Sequence, residues 1–273
     1  MTLPAAPTLF DTHAHLDLPP LNQDLAAELS LARAQGVRGW LLPGVRRSAW
    51  AGLQACAAAS PALWAAPGLH PMAVEAWSAA ASAELEGLLS SNKVVAVGEV
   101  GLDGTPGYPS ADRQEQALRS QIHLALAAGK PLLIHCRRAF GRLLEILRQE
   151  RADRVGGIFH GFSGSLEVAG EAIRLNFAIG IGGVVTYPTA RKMPQIAARI
   201  PAEWLVLETD APDLPPYPFR GQLNRPAYLG QIAAAVAALR GWDLQETGRL
   251  TTANALRVLN LASADFFEKD STA

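Results

Sequence analysis

Short apolar runs alternate along the chain with longer stretches in which apolar residues recur at helical spacing. Eight runs read as strands: Leu9–Thr12, Gly39–Pro43, Leu63–Gly68, Val94–Gly98, Leu132–His135, Gly156–His160, Phe177–Ile181 and Leu205–Thr209. Most are nearly all apolar, as expected of strands buried on both faces of a parallel sheet. Helix candidates lie between them at Leu21–Gln35, Ser48–Ser60, Ser78–Ser91, Ala111–Ala128, Phe140–Arg151, Ser165–Leu175 and Met193–Ile200. Ala227–Arg240 follows the eighth run, and Leu244–Leu259 closes the series. Within Ala111–Ala128, the residues Gln114, Leu118, Gln121 and Ala125 share one helical face. Eight strand-then-helix units in 273 residues predict an α/β chain folded as a (β/α)8 barrel of TIM type. A doubly wound open sheet is the rival, and strand counting does not exclude it. No linker, repeat or low-complexity block marks a second domain. Residues 1–262 therefore read as a single barrel and 263–273 as a C-terminal tail.

Polar residues interrupt this pattern where the apolar runs end. His13 and His15 stand in FDTHAHLD, Glu99 in VVAVGEVGLD, His135 in PLLIHCRRA, His160 in GGIFHGFSGS and Asp210 in LVLETDAP. Ligand-type residues so dispersed meet only if the fold gathers strand ends. A parallel barrel does this, and its active site lies at the C-terminal ends of its strands. His13 and His15 are two apart, so on a strand both face the same side. Asp11 and Asp17 flank them, which favours metal ligation over two satisfied core histidines. Glu99 at an apolar strand end must be paired or bound to metal, because a lone buried charge is costly. An arginine partner is one solution, and bridging two cations is the other. His135 and His160 each end an apolar strand. Asp210 could cap the turn before Pro212; among the other ligands it is the natural carboxylate to hold a metal and take a proton from water. Four histidines and two carboxylates exceed the needs of one tetrahedral site. Two divalent cations sharing Glu99 and a bridging hydroxide form the economical arrangement, suited to phosphoryl displacement.

Composition narrows the partners. The formal net charge is -1, from 24 Lys+Arg against 25 Asp+Glu, which argues against bulk electrostatic binding to nucleic acid or membrane. Two cysteines, Cys56 and Cys136, make no disulfide framework, and a reducing cytoplasm is the expected location. The start MTLPAAPTLF lacks the features of a signal peptide, and no run is long and apolar enough to span a bilayer. No obligatory protein partner is evident.

The set FDTHAHLD, GLHP, GEVGLD, LLIHCRRA, FHGFSGS, LETDAP and RGQLNRPAYL, in this order from about Phe10 to Asn254, resembles the TatD family of metal-dependent hydrolases. The resemblance implies a TIM-type barrel of the amidohydrolase-like group with two divalent cations (Zn, Mn or Mg). It implies His13, His15, Glu99, His135, His160 and Asp210 as ligands, with Glu99 bridging. It also implies deoxyribonuclease activity, often 3′–5′ exonucleolytic. Three departures fall near the expected substrate mouth. Arg138 stands where the family usually has an acidic residue, Met72 follows GLHP where a histidine is frequent, and GTPGYP follows GLD in place of an aromatic residue.

Around the expected centre, His70 of GLHP reads as a donor to a substrate oxygen, and Arg137 as an anion contact. Arg46, Arg47, Arg137, Arg138, Arg191, Lys192, Arg220 and Arg225 all follow strand candidates. In a barrel those segments share the catalytic face, so a local basic rim suits DNA or another phosphodiester; scattered surface arginines are the plainer reading. Tyr217 and Phe219, beside Arg220, either stack on a base or plug the rim. Cys136, next to His135, should alternate outward and pack as a small apolar residue. Gly180, Gly182 and Gly183 lack the spacing of a dinucleotide loop.

Three functions follow. The first is a two-metal phosphodiesterase acting on DNA ends, with Asp210 as proton acceptor and His70, Arg137, Arg220 and Arg225 touching substrate. The second keeps the metals and hydrolyses carbonyl esters or amides, such as aminoacyl esters or lactones. The third is a barrel kept only as a partner surface, which the presence of all six expected ligands makes least economical.

Overall fold

Among the described residues every strand is parallel to its neighbours, and a helix follows each one. The computed structural model describes residues 6–262. The expected tail, 263–273, lies outside the described residues. The order is β1 (Leu9–Asp11), α1 (Leu25–Ala34), β2 (Val37–Pro43), α2 (Trp50–Ala58), β3 (Leu63–Ala66), α3 (Ala79–Leu88), β4 (Val97–Asp103) and α4 (Ala111–Ala128). It continues through β5 (Leu132–Arg137), α5 (Phe140–Gln149), β6 (Gly157–Phe159), α6 (Leu166–Arg174), β7 (Phe177–Ile181), α7 (Lys192–Arg199), β8 (Leu205–Leu207), α8 (Leu229–Arg240) and α9 (Leu244–Val258). Side-chain caps explain several helix starts. Asp24, Ser78, Ser110, Ser165 and Asp243 each accept a backbone N–H of the first turn.

The strands form arcs β1-β2-β3 and β4-β5-β6-β7-β8. Backbone hydrogen bonds join the arcs at both seams. At one seam the Val95 N–H donates to Ala65 O at 3.0 Å and the Gly98 N–H to Pro67 O at 3.1 Å. At the other the Thr12 N–H donates to Leu207 O at 3.0 Å and the Asp210 N–H to His13 O at 2.9 Å. The result is a TIM-type barrel, as the strand–helix alternation predicts.

The fourth strand is displaced from its expected place. It was expected at Val94–Gly98 and runs instead over Val97–Asp103. Val94 makes only an isolated bridge to Ala65, while Val95 and Ala96 pack into the barrel floor. That floor is an apolar cluster of Phe10, Leu41, Trp64, Leu133, Ile158, Ala178 and Val206, closed by Ala255, Leu256 and Leu259 at the end of α9. The Asn254 amide donates to Leu205 O, which fixes α9 across the start of β8. The helix thus seals the end opposite the expected active site. Replacing Leu256 with alanine is expected to lower stability by about 3 kcal/mol, from lost burial plus a cavity. A denaturant titration measures this, and the folded variant should keep its metal affinity.

Candidate metal centre

Alternation along each strand decides which side chains reach the barrel axis. In β5, Leu133 faces the floor cluster while Leu132, Ile134 and Cys136 pack outward, so His135 faces in. In β6, Ile158 faces in and Phe159 out, which turns His160 inward. After β8 the same phase carries Val206, Glu208 and Asp210 to the interior. Cys136 is buried in the outer layer as expected, and burial pushes its thiol up to about 12.

His13 and His15 lie just past β1, although a strand position was expected for both. The chain there bonds alternately to its two neighbours, Ala14 N–H to Leu41 O and His15 N–H to Ala211 O, so no continuous ladder forms. Both rings still converge, with their Nε2 atoms 3.3 Å apart. Glu99 was expected at a strand end and sits inside β4. The register with β5 passes from Gly98↔Leu133 to Val100↔Ile134, leaving Glu99 without a partner residue. Such a bulge re-aims a side chain. A Cβ at Gly98 would lie 2.5 Å from the Leu133 Cβ, so only glycine lets β4 approach β5 this closely.

Glu99 is the hub. Its Oε1 lies 2.7 Å from His160 Nε2, 2.8 Å from His135 Nδ1 and 3.5 Å from His70 Nε2; its Oε2 lies 3.5 Å from His13 Nε2. Asp210 Oδ1 lies 3.4 Å from His13 Nε2 and 3.8 Å from His15 Nε2. The structure therefore brings all six expected ligands together. Three overlapping clusters of ligand-type atoms meet here: His13, His15 and Glu99; His13, His160 and Asp210; His70, Glu99 and His135. Within each group the ligand atoms lie within 4.8 Å of one another. Mixed imidazole and carboxylate donors suit divalent transition metals.

The electrostatics agree. Burial drives His13 well below its usual range, which leaves its imidazole neutral, the form a metal needs. Burial opposes ionisation of Glu99, yet His160, His70, His13 and the His135 hydrogen bond together hold it well below the carboxylate range. Burial lowers His160 as well, but Glu99 outweighs it and raises the ring to about 10. A cation binding there must displace that proton, so metal affinity is expected to rise with pH. Burial raises the Asp210 carboxyl, against the pull of His160 and His15.

His70 differs from the others. Its Nδ1 accepts the Met72 N–H at 3.1 Å, and burial lowers the ring to about 4. A neutral ring with Nδ1 accepting carries its proton on Nε2. His70 thus presents a donor to the centre.

Two carboxylates, Asp103 and Glu208, escaped the sequence reading, and Asp11 entered it only as a flank of the two histidines. Asp103 Oδ2 lies 3.0 Å from His135 Nε2, so it can fix that ring while Nδ1 faces Glu99. Glu208 accepts the Gly161 N–H at 2.6 Å and lies 4.0 Å from His160 Nδ1. Asp11 accepts the Thr209 N–H at 2.9 Å and its hydroxyl at 2.5 Å, tying the His13 segment to the Asp210 segment. Spacing could have found two of them. Glu208 is two before Asp210, and Asp103 is four after Glu99. The neighbouring glycine also has a cause. A Cβ at Gly180 would lie 2.2 Å from Glu208 Oε2. Gly180→Ala is therefore expected to displace that carboxylate and cost roughly 1–3 kcal/mol, read as a lower thermal midpoint.

The expected substrate contacts separate. Arg137 lines a cavity of about 850 Å³ that opens from His135, His160, Glu208 and Asp210. Arg220 lies over the Tyr187 ring at 5.2 Å. Arg225 is bonded to the buried Glu28, so it is committed to the fold and not free at the mouth as expected. Phe219 stacks on Tyr228 with centroids 4.1 Å apart, which closes the rim, while Tyr217 is exposed.

The chain is 36% identical over 253 residues to the uncharacterized metal-dependent hydrolase YabD of Bacillus subtilis (strain 168), covering 93% of this chain and 99% of that protein. It is 34% identical over 262 residues to the 3′-5′ ssDNA/RNA exonuclease TatD of Edwardsiella piscicida, covering 93% and 100%. The crystal structure of YjjV, a TatD homologue from Escherichia coli K12, superposes with a TM-score of 0.88 at 37% identity, covering 93% of this chain and 98% of that one. The sequence profile of the TatD related DNases matches residues 10–260, so the chain belongs to the TatD-related DNase family.

Proposed function

We propose that this chain is a divalent-metal-dependent nuclease that removes nucleotides from DNA ends in the 3′–5′ direction. The observation that carries the reading is the convergence of His13, His15, Glu99, His135, His160 and Asp210 around one carboxylate hub. The named activity of the Edwardsiella piscicida relative supports the substrate and the polarity. Two cations, of Zn, Mn or Mg, are the number that the donor set favours.

Bound cations supply Lewis acidity, which activates water and neutralises phosphate charge. The chain supplies the rest. Glu99 sits between the histidines and, with them, would hold the cations. Asp210 acts as general base: a carboxylate oxygen accepts the proton of the attacking water, and burial makes that carboxyl more basic than an exposed aspartate. His70 donates its Nε2 proton to a phosphate oxygen. Arg137 lies at the cavity wall where a phosphodiester enters. Arg220 can contact the strand from the rim, whereas Arg225 is held by its bond to Glu28. Among the described residues no helix is long and apolar enough to cross a membrane. Cys56 and Cys136 are unpaired, which supports a place in the reducing cytoplasm.

The test compares bis-p-nitrophenyl phosphate with a panel of p-nitrophenyl esters, lactones and amides. Hydrolysis of the phosphodiester in excess of every carbonyl substrate is expected. The opposite order would move the enzyme to carbonyl chemistry.

A further inference from the structure

The cations around the mouth differ in what they already hold. On the β2–β3 side, Arg47 pairs with Glu84 at 2.7 Å, and the cavity there sets Glu75 and Glu84 against Arg46 and Arg47. On the β8 side, Arg225 is bonded to Glu28 and Arg220 lies over Tyr187. The end of β5 with the residue after it, and the entry to α7, are unlike either. Arg137, Arg138, Arg191 and Lys192 are exposed there, and among the described residues none has a carboxylate within ion-pair distance.

Two cavities adjoin at this place. The metal-centre cavity shares Arg137, Ser163, Gly164 and Lys192 with a second one of about 460 Å³. The second cavity adds Arg138, and its wall contains no carboxylate. An uncompensated group of two guanidiniums, an ammonium and the Ser163 hydroxyl matches a tetrahedral oxyanion, because guanidinium donates in a planar fork. A polynucleotide with one phosphate at the metal centre must place its next phosphate in an adjoining seat.

We propose that this second cavity seats the phosphate flanking the cut, held by Arg138 and Lys192, so that the strand leaves the metal centre across the loops after β5, β6 and β7. The inference rests on the nuclease reading. It assigns the substrate as a strand with at least two backbone phosphates. The seat touches phosphate only, so it adds affinity without base preference.

The experiment compares thymidine trinucleotides with either two phosphodiester links or one phosphodiester and one neutral methylphosphonate, made in both orders. For the wild-type metal-loaded enzyme, a neutral flanking link is expected to lower kcat/KM about tenfold, the scale of one lost charge-assisted hydrogen bond, chiefly through KM. In the Arg138→Ala, Lys192→Ala double variant that discrimination is expected to vanish. Arg46→Ala, across the mouth, keeps it. A wild-type enzyme indifferent to the neutral link overturns the seat, as does discrimination that survives in the double variant. If either result comes with normal hydrolysis of bis-p-nitrophenyl phosphate, the nuclease reading stands. If no phosphodiester is cut at all, both fall together.

Discussion

Asp210→Asn is expected to lower kcat by about 10³-fold while the protein stays folded, within the range that a lost general base costs. Asparagine keeps the shape of the side chain and an oxygen toward His13 and His15, but it cannot accept a proton. The fold has no need of the charge, since the barrel seam there is made by backbone: Asp210 N–H to His13 O at 2.9 Å. The thermal midpoint should therefore hold while turnover collapses. Single-turnover rates beside a melting curve make the comparison. Unchanged turnover would remove Asp210 from the chemistry.

Glu99→Gln is expected to abolish activity by a different route, through loss of metal. Glu99 Oε1 lies 2.7 Å from His160 Nε2 and 2.8 Å from His135 Nδ1, and its Oε2 faces His13. Neutralising this hub removes the charge that offsets a cation in a buried site. Affinity should fall at least about 100-fold, beyond what loss of an outer hydrogen-bond partner costs. Isothermal titration with Mn²⁺ or Zn²⁺ reads this directly, and the bound stoichiometry should drop with it. Retained stoichiometry at wild-type affinity would displace Glu99 from the centre. The two variants are separable, because Asp210→Asn should still bind metal.

The inward phase of the later strands was legible in the sequence. Leu133 and His135, and Ile158 and His160, sit two apart, and Val206 and Asp210 four apart, so period-two reading puts each ligand on the same side as a floor residue before it. The place of Glu99 was legible only in part. The run VVAVG satisfies a strand by composition, yet Val95 and Ala96 are used in the barrel floor and the strand begins at Val97. A bulge leaves no hydrophobic signature, because it changes pairing and not residue type. Glu208 and Asp103 carry no run-ending signal in the sequence, although each lies on the inward phase of a ligand that does. The pairing of Arg225 with Glu28 joins residues 197 apart and cannot be read from local pattern. The free cations Arg137, Arg138 and Lys192 became distinguishable from Arg47 and Arg225 only once their partners were in place.

The most direct measurement is the cleavage of 5′-labelled single-stranded DNA by metal-stripped protein, resupplied in turn with Mg²⁺, Mn²⁺ and Zn²⁺. Progressive shortening from the 3′ end with at least one of these metals, and none without metal, is the expected result. DNA left intact under every metal, by protein confirmed to bind that metal, would contradict the account and move the centre to carbonyl hydrolysis.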